Sequence, residues 1–365
     1  MSAPAAAPQA GLEAYLAQMD AAGAPVLGFV VFYTVCDAPV TRDDLVNWFR
    51  ELGLSEDYLP NELRPIDAAE RATGSTVRLA YLLDGAEPER LPNGRRKRKS
   101  RAALDREATL MVRPVSRTKT QVVRHVVREV RDEAQVALSY DPRMADAVFT
   151  KDNSENSGFG AGSFGIVPNH PAINALPPVE QEKVRQFLDD IQEAYRTNLA
   201  FVPGDRLRDV VRAFIEDVMA GTRLRASGGV YFVAREHHAV LEALRELIGR
   251  FNERAVLRTP EEKKLSSLRR IPLPDQGEMR DMVEEEFTNR AREELDRLAV
   301  ELAVLRRAPE PDPELVAALH KRYLGLKATT DKHSTLLSTS LEDTQASLET
   351  VKDQFARLMA GSDDD

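Results

Sequence analysis

The last quarter of the chain repeats apolar residues at alternating steps of three and four, which is the spacing of a coiled-coil seam. Two such segments are separated by the sequence from Ala308 to Pro313, whose three prolines are incompatible with a continuous helix. The seam positions are Phe287, Ala291, Leu295, Leu298, Leu302 and Leu305 in the first segment and Leu319, Tyr323, Leu326, Thr330, His333, Leu337, Ser340, Thr344, Leu348, Val351, Phe355 and Leu358 in the second. The pattern therefore predicts an antiparallel coiled-coil hairpin over residues 278–359, followed by an acidic tail at 360–365.

The two predicted helices differ in length, and this difference predicts an oligomer. They cover Glu278 to Ala308 and Glu314 to Met359, which are 31 and 46 residues. If they pair outward from the proline-rich turn, residues 345–359 have no partner, although their seam is more apolar than the stretch from Thr330 to Thr344 that precedes them. Its four apolar side chains, each worth about 1.5–3 kcal/mol when buried, are Leu348, Val351, Phe355 and Leu358. We expect them to dock on a second copy of the chain, or otherwise on the body of the same chain.

Length and composition predict a globular protein of mixed class. With 365 residues, 42% hydrophobic and 30% charged, the chain has material for two or three structural units. We predict an α+β fold with an N-terminal antiparallel β-rich unit carrying packed helices, a helical middle region and the C-terminal hairpin. Residues 1–10, rich in Ala and Pro, are expected to form a disordered tail. They lack the basic start and apolar core of a signal peptide, so we do not expect them to be one.

The expected location is the bacterial cytoplasm. Cys36 is the single cysteine and lies in an apolar run, so it cannot form an internal disulfide, which fits a reducing compartment. No run of apolar residues reaches the length of a membrane span, so no membrane partner is expected. High usage of Ala and Arg is typical of GC-rich bacterial coding.

Residues 11–151 are predicted to form the β-rich α+β domain. Its expected helices are Gly11 to Ala22, Thr41 to Gly53 and Asp67 to Ala72, and its expected strands are Pro25 to Cys36, Thr76 to Leu83, Thr109 to Val115, Thr120 to Val130, Gln135 to Tyr140 and Ala145 to Thr150. Five valines between Thr120 and Val130 have helical spacing but strand propensity. We choose a strand because strands flank it, which places Arg124 and Arg128 on one face with Val122, Val126 and Val130.

The middle of the chain is predicted to be mainly helical. A loop rich in Gly and Pro covers 152–177, and a helical region with one short strand covers 178–251. Residues 252–277, which include three prolines, then connect this region to the coiled coil.

Charge is concentrated in one basic segment. The net charge is −9, yet Ala86 to Arg131 contains 14 Lys and Arg against 5 Asp and Glu. Such a segment is typical of contact with the phosphates of a nucleic acid or another polyanion, although it also fits a solvated loop. The candidate polyanion-binding residues are Arg95, Arg96, Lys97, Arg98, Lys99, Arg101, Arg124 and Arg128.

A glycine-rich stretch offers a second candidate site. Gly160, Gly162 and Gly165 match the pattern GxGxxG, in which backbone N–H groups approach a phosphate. The following residues, Ile166 to Pro171, cannot open the helix that such a site needs. We therefore predict a mobile loop that waits for a partner, formed by Gly158, Phe159, Gly160, Gly162, Phe164 and Gly165.

No arrangement of residues predicts catalysis or a bound metal. Among the six histidines only His237 and His238 are close in sequence, and adjacent residues point to different faces of a helix. We therefore predict no catalytic residue, no metal and no cofactor. His333, at a core position of the seam, is interpreted as a device that fixes helix register, with a pH switch as the alternative.

The leading prediction of function is a non-enzymatic, self-associating interaction or scaffold protein assembled through the coiled coil. The first alternative is a nucleic-acid-binding protein that uses the basic loop and sheet face. The second alternative is a nucleotide-dependent enzyme that uses the glycine-rich loop.

Overall fold

The computed structural model describes residues 14–19, 25–83, 107–131, 138–140, 143–154, 158, 160–225, 229–255, 265–307, 312–337 and 341–360. The fold is mixed α+β with two antiparallel sheets, as predicted for its class. The chain divides into two compact units. The inserted unit holds Val40–Arg42 and Pro60–Pro203, and the terminal unit holds Met1–Pro39, Asp43–Leu59 and Gly204–Asp365.

The strands of the described residues are β1 (Val26–Thr34), β2 (Arg78–Leu82), β3 (Glu107–Arg117), β4 (Gln121–Arg131), β5 (Leu138–Tyr140), β6 (Ala145–Lys151), β7 (Gly162–Pro168), β8 (Thr222–Arg223), β9 (Val230–Ala234) and β10 (Ser267–Pro274). The contested segment after Thr120 is strand β4, so this prediction is confirmed. The valines of β4 are explained by a sheet position with one buried face, which favours β-branched side chains.

The helices are α1 (Arg42–Leu52), α2 (Pro65–Ala72), α3 (His170–Asn174), α4 (Pro178–Ala200), α5 (Gly204–Ala213), α6 (His238–Ala255), α7 (Gly277–Leu305), α8 (Pro313–Leu337) and α9 (Glu342–Ala360). Residues 14–19 are also helical. A π-helical turn, Phe214–Val218, follows α5, and short 3₁₀ turns cover Glu56–Tyr58 and Arg235–His237.

The terminal unit is built on a four-stranded sheet in the order β10-β1-β9-β8. Strand β1 lies between two strands from much later in the chain and pairs with both in antiparallel register. One face of the sheet presents Leu27, Phe232 and Leu273, which pack with Val283 of α7. This pairing explains why the units differ from the predicted 11–151 domain, since β1 joins residues beyond 204 rather than β2 and its neighbours.

The C-terminal helices form a bundle of three rather than a hairpin of two. Helix α8 runs antiparallel to α7, with Arg322 bonded to Glu294 at 2.6 Å and to Glu301 at 2.9 Å. Helix α9 folds back along both, and its Phe355 ring lies 5.7 Å from the ring of Tyr323. The shared core contains Leu295, Leu298, Leu302, Leu305, Leu319, Tyr323, Leu348, Val351, Phe355 and Leu358.

This bundle corrects the predicted second helix. A single helix from Glu314 to Met359 is wrong, because the structure ends α8 at Leu337 and begins α9 at Glu342. The four residues assigned to oligomerisation, Leu348, Val351, Phe355 and Leu358, are each at most 8% exposed within the chain itself. The unpaired overhang that motivated the oligomer therefore does not exist, and these four side chains stabilise the bundle instead.

The inserted unit holds the second sheet, in the order β2-β3-β4-β6-β7, with β5 also paired to β4. Its core combines Leu110 and Val126 of the sheet with Ile66 of α2 and Phe187 of α4. Val122, Val126 and Arg128 face this core, in agreement with the face predicted from the alternation of β4. Both ends of the long β3–β4 hairpin are therefore held by neighbouring strands of this sheet.

A substitution in the bundle core tests whether the apolar seam is buried within one chain or against another copy. We expect Phe355→Ala to lower the free energy of unfolding by about 3–5 kcal/mol, because it removes a buried ring from the bundle core. Urea denaturation of the full chain measures this change, with the exposed Asp353→Ala as the control on the same helix. Light scattering should give the same mass for both variants and wild type; a lower mass for Phe355→Ala alone would show that the ring packs against another copy.

Candidate functional site

The tip of the β3–β4 hairpin is an exposed basic surface. Every residue from 113 to 121 is exposed, and these nine residues include Arg113, Arg117 and Lys119 but no Asp or Glu. Strand β2 pairs with β3 only as far as Met111, so β3 continues toward the tip beyond β2. At the tip β3 is thus an edge strand, with β4 and then β6 on its other side, and the tip presents three cations to solvent.

Local hydrogen bonds hold the turn at this tip. The hydroxyl oxygen of Thr118 accepts from the backbone N–H of Gln121 at 3.0 Å and of Thr120 at 3.3 Å. The N–H of Thr118 donates to the carbonyl of Gln121 at 2.8 Å. These bonds fix the turn backbone in one arrangement, which lowers the entropy lost when a ligand binds the tip.

A basic groove lies beside the tip within the inserted unit. We define it by Arg64, Arg117, Lys119 and Lys151, which line a cavity of about 670 Å³ together with Asp67 and Asp152. The four cations come from the residue before α2, the end of β3, the β3–β4 turn and the end of β6. The fold therefore brings together charges that are up to 87 residues apart in the sequence.

Three of the four cations have partners that position them. Arg64 bonds to Asp67 at 2.6 Å and Arg117 to Glu70 at 2.5 Å. The Lys151 ammonium donates to the carbonyl of Thr118 at 2.7 Å, which links β6 to the hairpin turn. Exposed pairs of this kind contribute little to stability and leave the cations accessible to a second anion.

The glycine-rich stretch borders this groove, but its structure differs from the predicted mobile loop. Gly162, Phe164 and Gly165 belong to β7, which pairs with β6 along its whole length. The Phe164 ring lies 4.8 Å from the ring of Tyr195, so it is packed against the unit's own core. Only Gly158 and Gly160 lie before the strand, while Phe159 is outside the described residues.

Two of these glycines are required by close packing. Gly160 has φ of +83°, and its carbonyl accepts a hydrogen bond from the N–H of Ile66 at 3.2 Å. A Cβ on Gly162 would overlap the carbonyl oxygen of Thr150 on the neighbouring strand. The GxGxxG pattern is thus explained by a turn and a strand, because β7 rather than a helix follows Gly160 in the described chain.

Two predicted polyanion contacts belong to the interior of the inserted unit. Arg128 is 8% exposed, and its guanidinium lies 2.7 Å from the Glu180 carboxylate, which also accepts from the Tyr81 hydroxyl at 2.8 Å. Arg124 donates to the carbonyls of Glu70 and Thr73 at the end of α2. Burial, followed by the Glu180 carboxylate, raises the pKa of Tyr81 above its ordinary value, so Tyr81 stays a donor. Arg124 and Arg128 therefore hold the sheet to its helices, which corrects their assignment to the binding surface.

The remaining predicted cations lie outside the described residues. These are Arg95, Arg96, Lys97, Arg98, Lys99 and Arg101. Sequence reasoning missed Arg64 and Lys151, because each is an isolated cation in an ordinary local sequence. Only the fold of the sheet places them beside the hairpin tip.

The described part of the chain holds no group of three or more His, Cys, Asp and Glu side chains that could bind a metal ion. His237 and His238, the adjacent histidines, lie at the end of a 3₁₀ turn and at the start of α6. Among the described helices, none combines the length and the apolar character needed to cross a bilayer.

Fold and surface together define a two-unit α+β protein with a basic groove on its inserted unit. The chain belongs to a family of unknown function, DUF6744, whose pattern matches residues 26–364. No curated protein and no solved structure matches it.

Arg128, which is buried, and Arg117, which is exposed, should contribute differently to the free energy of unfolding. We expect Arg128→Ala to lower the free energy of unfolding by about 3–5 kcal/mol, because it leaves the Glu180 carboxylate buried without its cation. Arg117→Ala is the matched control on the adjacent strand, where the side chain is 63% exposed and the expected loss is below about 1 kcal/mol. Equal losses in urea denaturation would contradict a structural role specific to Arg128.

Proposed function

We propose that the chain is a non-enzymatic nucleic-acid-binding protein whose inserted unit contacts the phosphate backbone. The observation that carries this proposal is the meeting of Arg64, Arg117, Lys119 and Lys151 in one groove beside a fixed, exposed hairpin tip. Cations that neutralise phosphates release condensed counterions, which is the main source of affinity for a polyanion.

The two units also differ in net charge, and this difference supports the proposal. The inserted unit contains 23 Lys and Arg against 20 Asp and Glu, whereas the terminal unit contains 27 against 39. A polyanion is therefore attracted to the inserted unit and repelled by the terminal unit.

The extent of the basic surface supports a polymer rather than a mononucleotide. Strand β3 has 11 residues, which span about 36 Å at about 3.3 Å each. Among the described cations, Arg113 and Arg117 lie on this strand and Lys119 follows it in the turn. A row of cations along a strand fits an extended chain of phosphates.

The composition of the tip supports binding without base recognition. Residues 113–121 contain no Phe, Tyr or Trp on which a base could stack. Arginine and lysine that contact phosphates fix the register of a nucleic acid but carry no sequence information. We therefore propose a binding mode that depends on salt and is insensitive to sequence.

Removing charge at the tip tests this function. We expect the double variant Arg117→Gln, Lys119→Gln to weaken binding to a fluorescent 30-nucleotide single-stranded DNA, measured by anisotropy at several salt concentrations. If both cations contact phosphates, the slope of log affinity against log salt should become shallower by roughly 1.4. The loss should be the same for oligonucleotides of different sequence.

The matched control places the same charge change on the bundle. Arg297→Gln, Lys352→Gln removes two exposed cations from α7 and α9, and we expect it to leave the salt slope unchanged. An equal loss of affinity in both double variants would show that the effect comes from net charge and not from the position of the cations. Absence of binding by wild type at low salt would contradict the proposal itself.

Self-association remains a second candidate function, supported by a different surface from the one first predicted. Val300 and Val304 lie one turn apart on α7 and are 65% and 63% exposed. Leu324 of α8 is 50% exposed. Exposed apolar side chains at helical spacing are typical of a contact with another helix, so a second copy of the bundle fits this face.

Lysine on that face tests the second candidate. We expect Val300→Lys, Val304→Lys to lower the mass measured by light scattering while leaving the helical circular dichroism unchanged, because these positions are outside the bundle core. Glu293→Lys, Arg297→Glu, one or two turns earlier on exposed positions, is the control. A monomeric wild type would remove this candidate and leave nucleic-acid binding unaffected.

The nucleotide-dependent enzyme is the candidate that the geometry favours least. Its glycine stretch is accounted for by β7 and the turn before it. A bacterial cytoplasmic location stays part of the proposal. The single cysteine supports a reducing compartment, and the high usage of Ala and Arg supports a bacterial source.

A further inference from the structure

His333, near the end of α8, joins that helix to the sheet of the terminal unit. It is 4% exposed, and its Nε2 atom lies 2.8 Å from the Thr222 hydroxyl of β8. The same atom lies 3.3 Å from the carbonyl oxygen of Ala220. The seam position predicted from the sequence is therefore buried, but its ring contacts the start of β8 rather than fixing the register of two helices.

The surroundings of this ring are largely apolar. The imidazole stacks on the Phe287 ring of α7 with 4.3 Å between centroids, and the Phe232 ring of β9 lies 6.5 Å away. Leu336, one turn later on α8, packs against the cluster that contains Phe232. A positive charge on His333 would therefore lie in surroundings of low polarity, which disfavour it.

The hydrogen bonds of the ring accommodate one proton but not two. Because a carbonyl oxygen only accepts, a proton on Nε2 serves the contact with Ala220, and Nδ1 then carries the lone pair. Nδ1 is buried and has no hydrogen-bond partner among the described residues. An imidazolium donates through both nitrogens, so a second proton would bury an N–H group without an acceptor, which is unfavourable.

The charged groups of α8 and of the chain after β9 do not compensate a positive charge on the ring. Asp331, Lys332, Glu236 and His237 line a cavity of about 330 Å³ beside His333. Glu236 lies 3.3 Å from Nε2 of His237, and Asp331 is exposed to solvent. Lys332 is itself positive and opposes a second charge on His333.

The charged groups of β8, the π-helical turn and α7 do not compensate it either. Arg223 lies on the face of β8 opposite to the ring, because side chains alternate along a strand, and it pairs with Glu216 of the π-helical turn at 2.7 Å. Glu216 also lies 3.7 Å from Arg290 of α7. The hydrogen bonds of the ring in the described structure go to two uncharged groups, and neither Asp217 of that turn nor Glu284 of α7 is among its partners.

The closed structure therefore disfavours protonation of His333. Burial lowers the pKa of the imidazole below its ordinary value of 6.5, and the charge of Lys332 acts in the same direction, although the hydrogen bond to Ala220 opposes them. Above pH 6.5 the ring is mostly neutral whether it is buried or released, so the contact is complete. As the pH falls below this value, the released ring takes up a proton more readily than the buried one, so acid weakens the contact.

We propose that His333 is a proton-sensitive latch that holds the last turns of α8 to the sheet of the terminal unit. The neutral ring bonds to Thr222 and Ala220, and acidification releases these turns and exposes Leu336 and Phe287. Helix α8 ends at Leu337, so the released residues 330–337 form only about two turns, which are too short to stay helical alone. The latch does not depend on nucleic-acid binding, since all of its residues belong to the terminal unit.

Amide hydrogen exchange of the full chain at pH 7.5 and pH 5.5 tests the latch, with each rate divided by the intrinsic chemical rate at that pH. We expect the protection of residues 330–337 to fall about tenfold at the lower pH, because one proton taken up on release changes the opening equilibrium about tenfold for each pH unit below 6.5. Residues 295–305 of the bundle core should keep their protection. In His333→Phe, which keeps a stacking ring but takes up no proton, the protection of 330–337 should be the same at both pH values.

His320→Phe is the matched control, because its half-buried ring lies on the same helix but contacts Phe355 of the bundle. It should retain the tenfold loss. If His333→Phe does not fold, NMR titration of wild type with ¹³C-labelled histidine decides instead, and we expect the His333 resonance to titrate below pH 6.5. No loss of protection in wild type, the same loss in His333→Phe, an equal loss at residues 295–305, or a His333 that titrates at its ordinary pKa would each overturn the proposal.

Discussion

The position of β1 between β9 and β10 is the constraint on which the architecture depends. Residues 26–34 hydrogen-bond to residues 267–274 on one side and 230–234 on the other, so the terminal unit closes only after most of the chain is made. The residues from Pro60 to Pro203, which are inserted in the sequence between β1 and β8, form a core of their own. Loop-closure entropy grows slowly with length, which makes such an insertion tolerable. Strand β10 leads within two residues into α7, so the same pairing anchors the start of the bundle.

Local patterns in the sequence predicted the elements better than their partners. The five valines of β4 and the apolar seam of α7 were sufficient to predict a strand and a helix. An element with one buried face repeats its apolar residues with the period of that element. The break between Leu337 and Glu342 was missed because the heptad spacing continues through it; the available signal was the run Ser338 to Ser340, which has low helix propensity. The partners of β1 could not be predicted, since pairing across more than 200 residues leaves no local trace.

Arginines of the inserted unit show why a basic sequence does not define a basic surface. Arg128 pairs with a buried carboxylate, and Arg124 donates to backbone carbonyls. Arg117, on the neighbouring strand, is exposed to solvent. All three arginines lie on one face of the sheet, since Arg117 pairs directly with Val122 of β4. Arg124 and Arg128 are covered on that face by α2 and α4, whereas Arg117 lies at the exposed tip. Isolated cations such as Arg64 and Lys151 complete the groove through tertiary structure alone. The proposed function therefore rests on geometry that the charge count only partly anticipated.

Hydrogen–deuterium exchange of the full chain, with and without a 30-nucleotide single-stranded DNA, tests the central claim most directly. The account predicts slower exchange on binding at residues 113–121 and 151–154, where the hairpin tip and groove lie. Peptides from the bundle core, around 295–305 and 348–358, should exchange slowly in both states, because their amides are protected within the chain. Protection that appears only in the bundle, or none at the tip while the DNA is bound, would contradict the account.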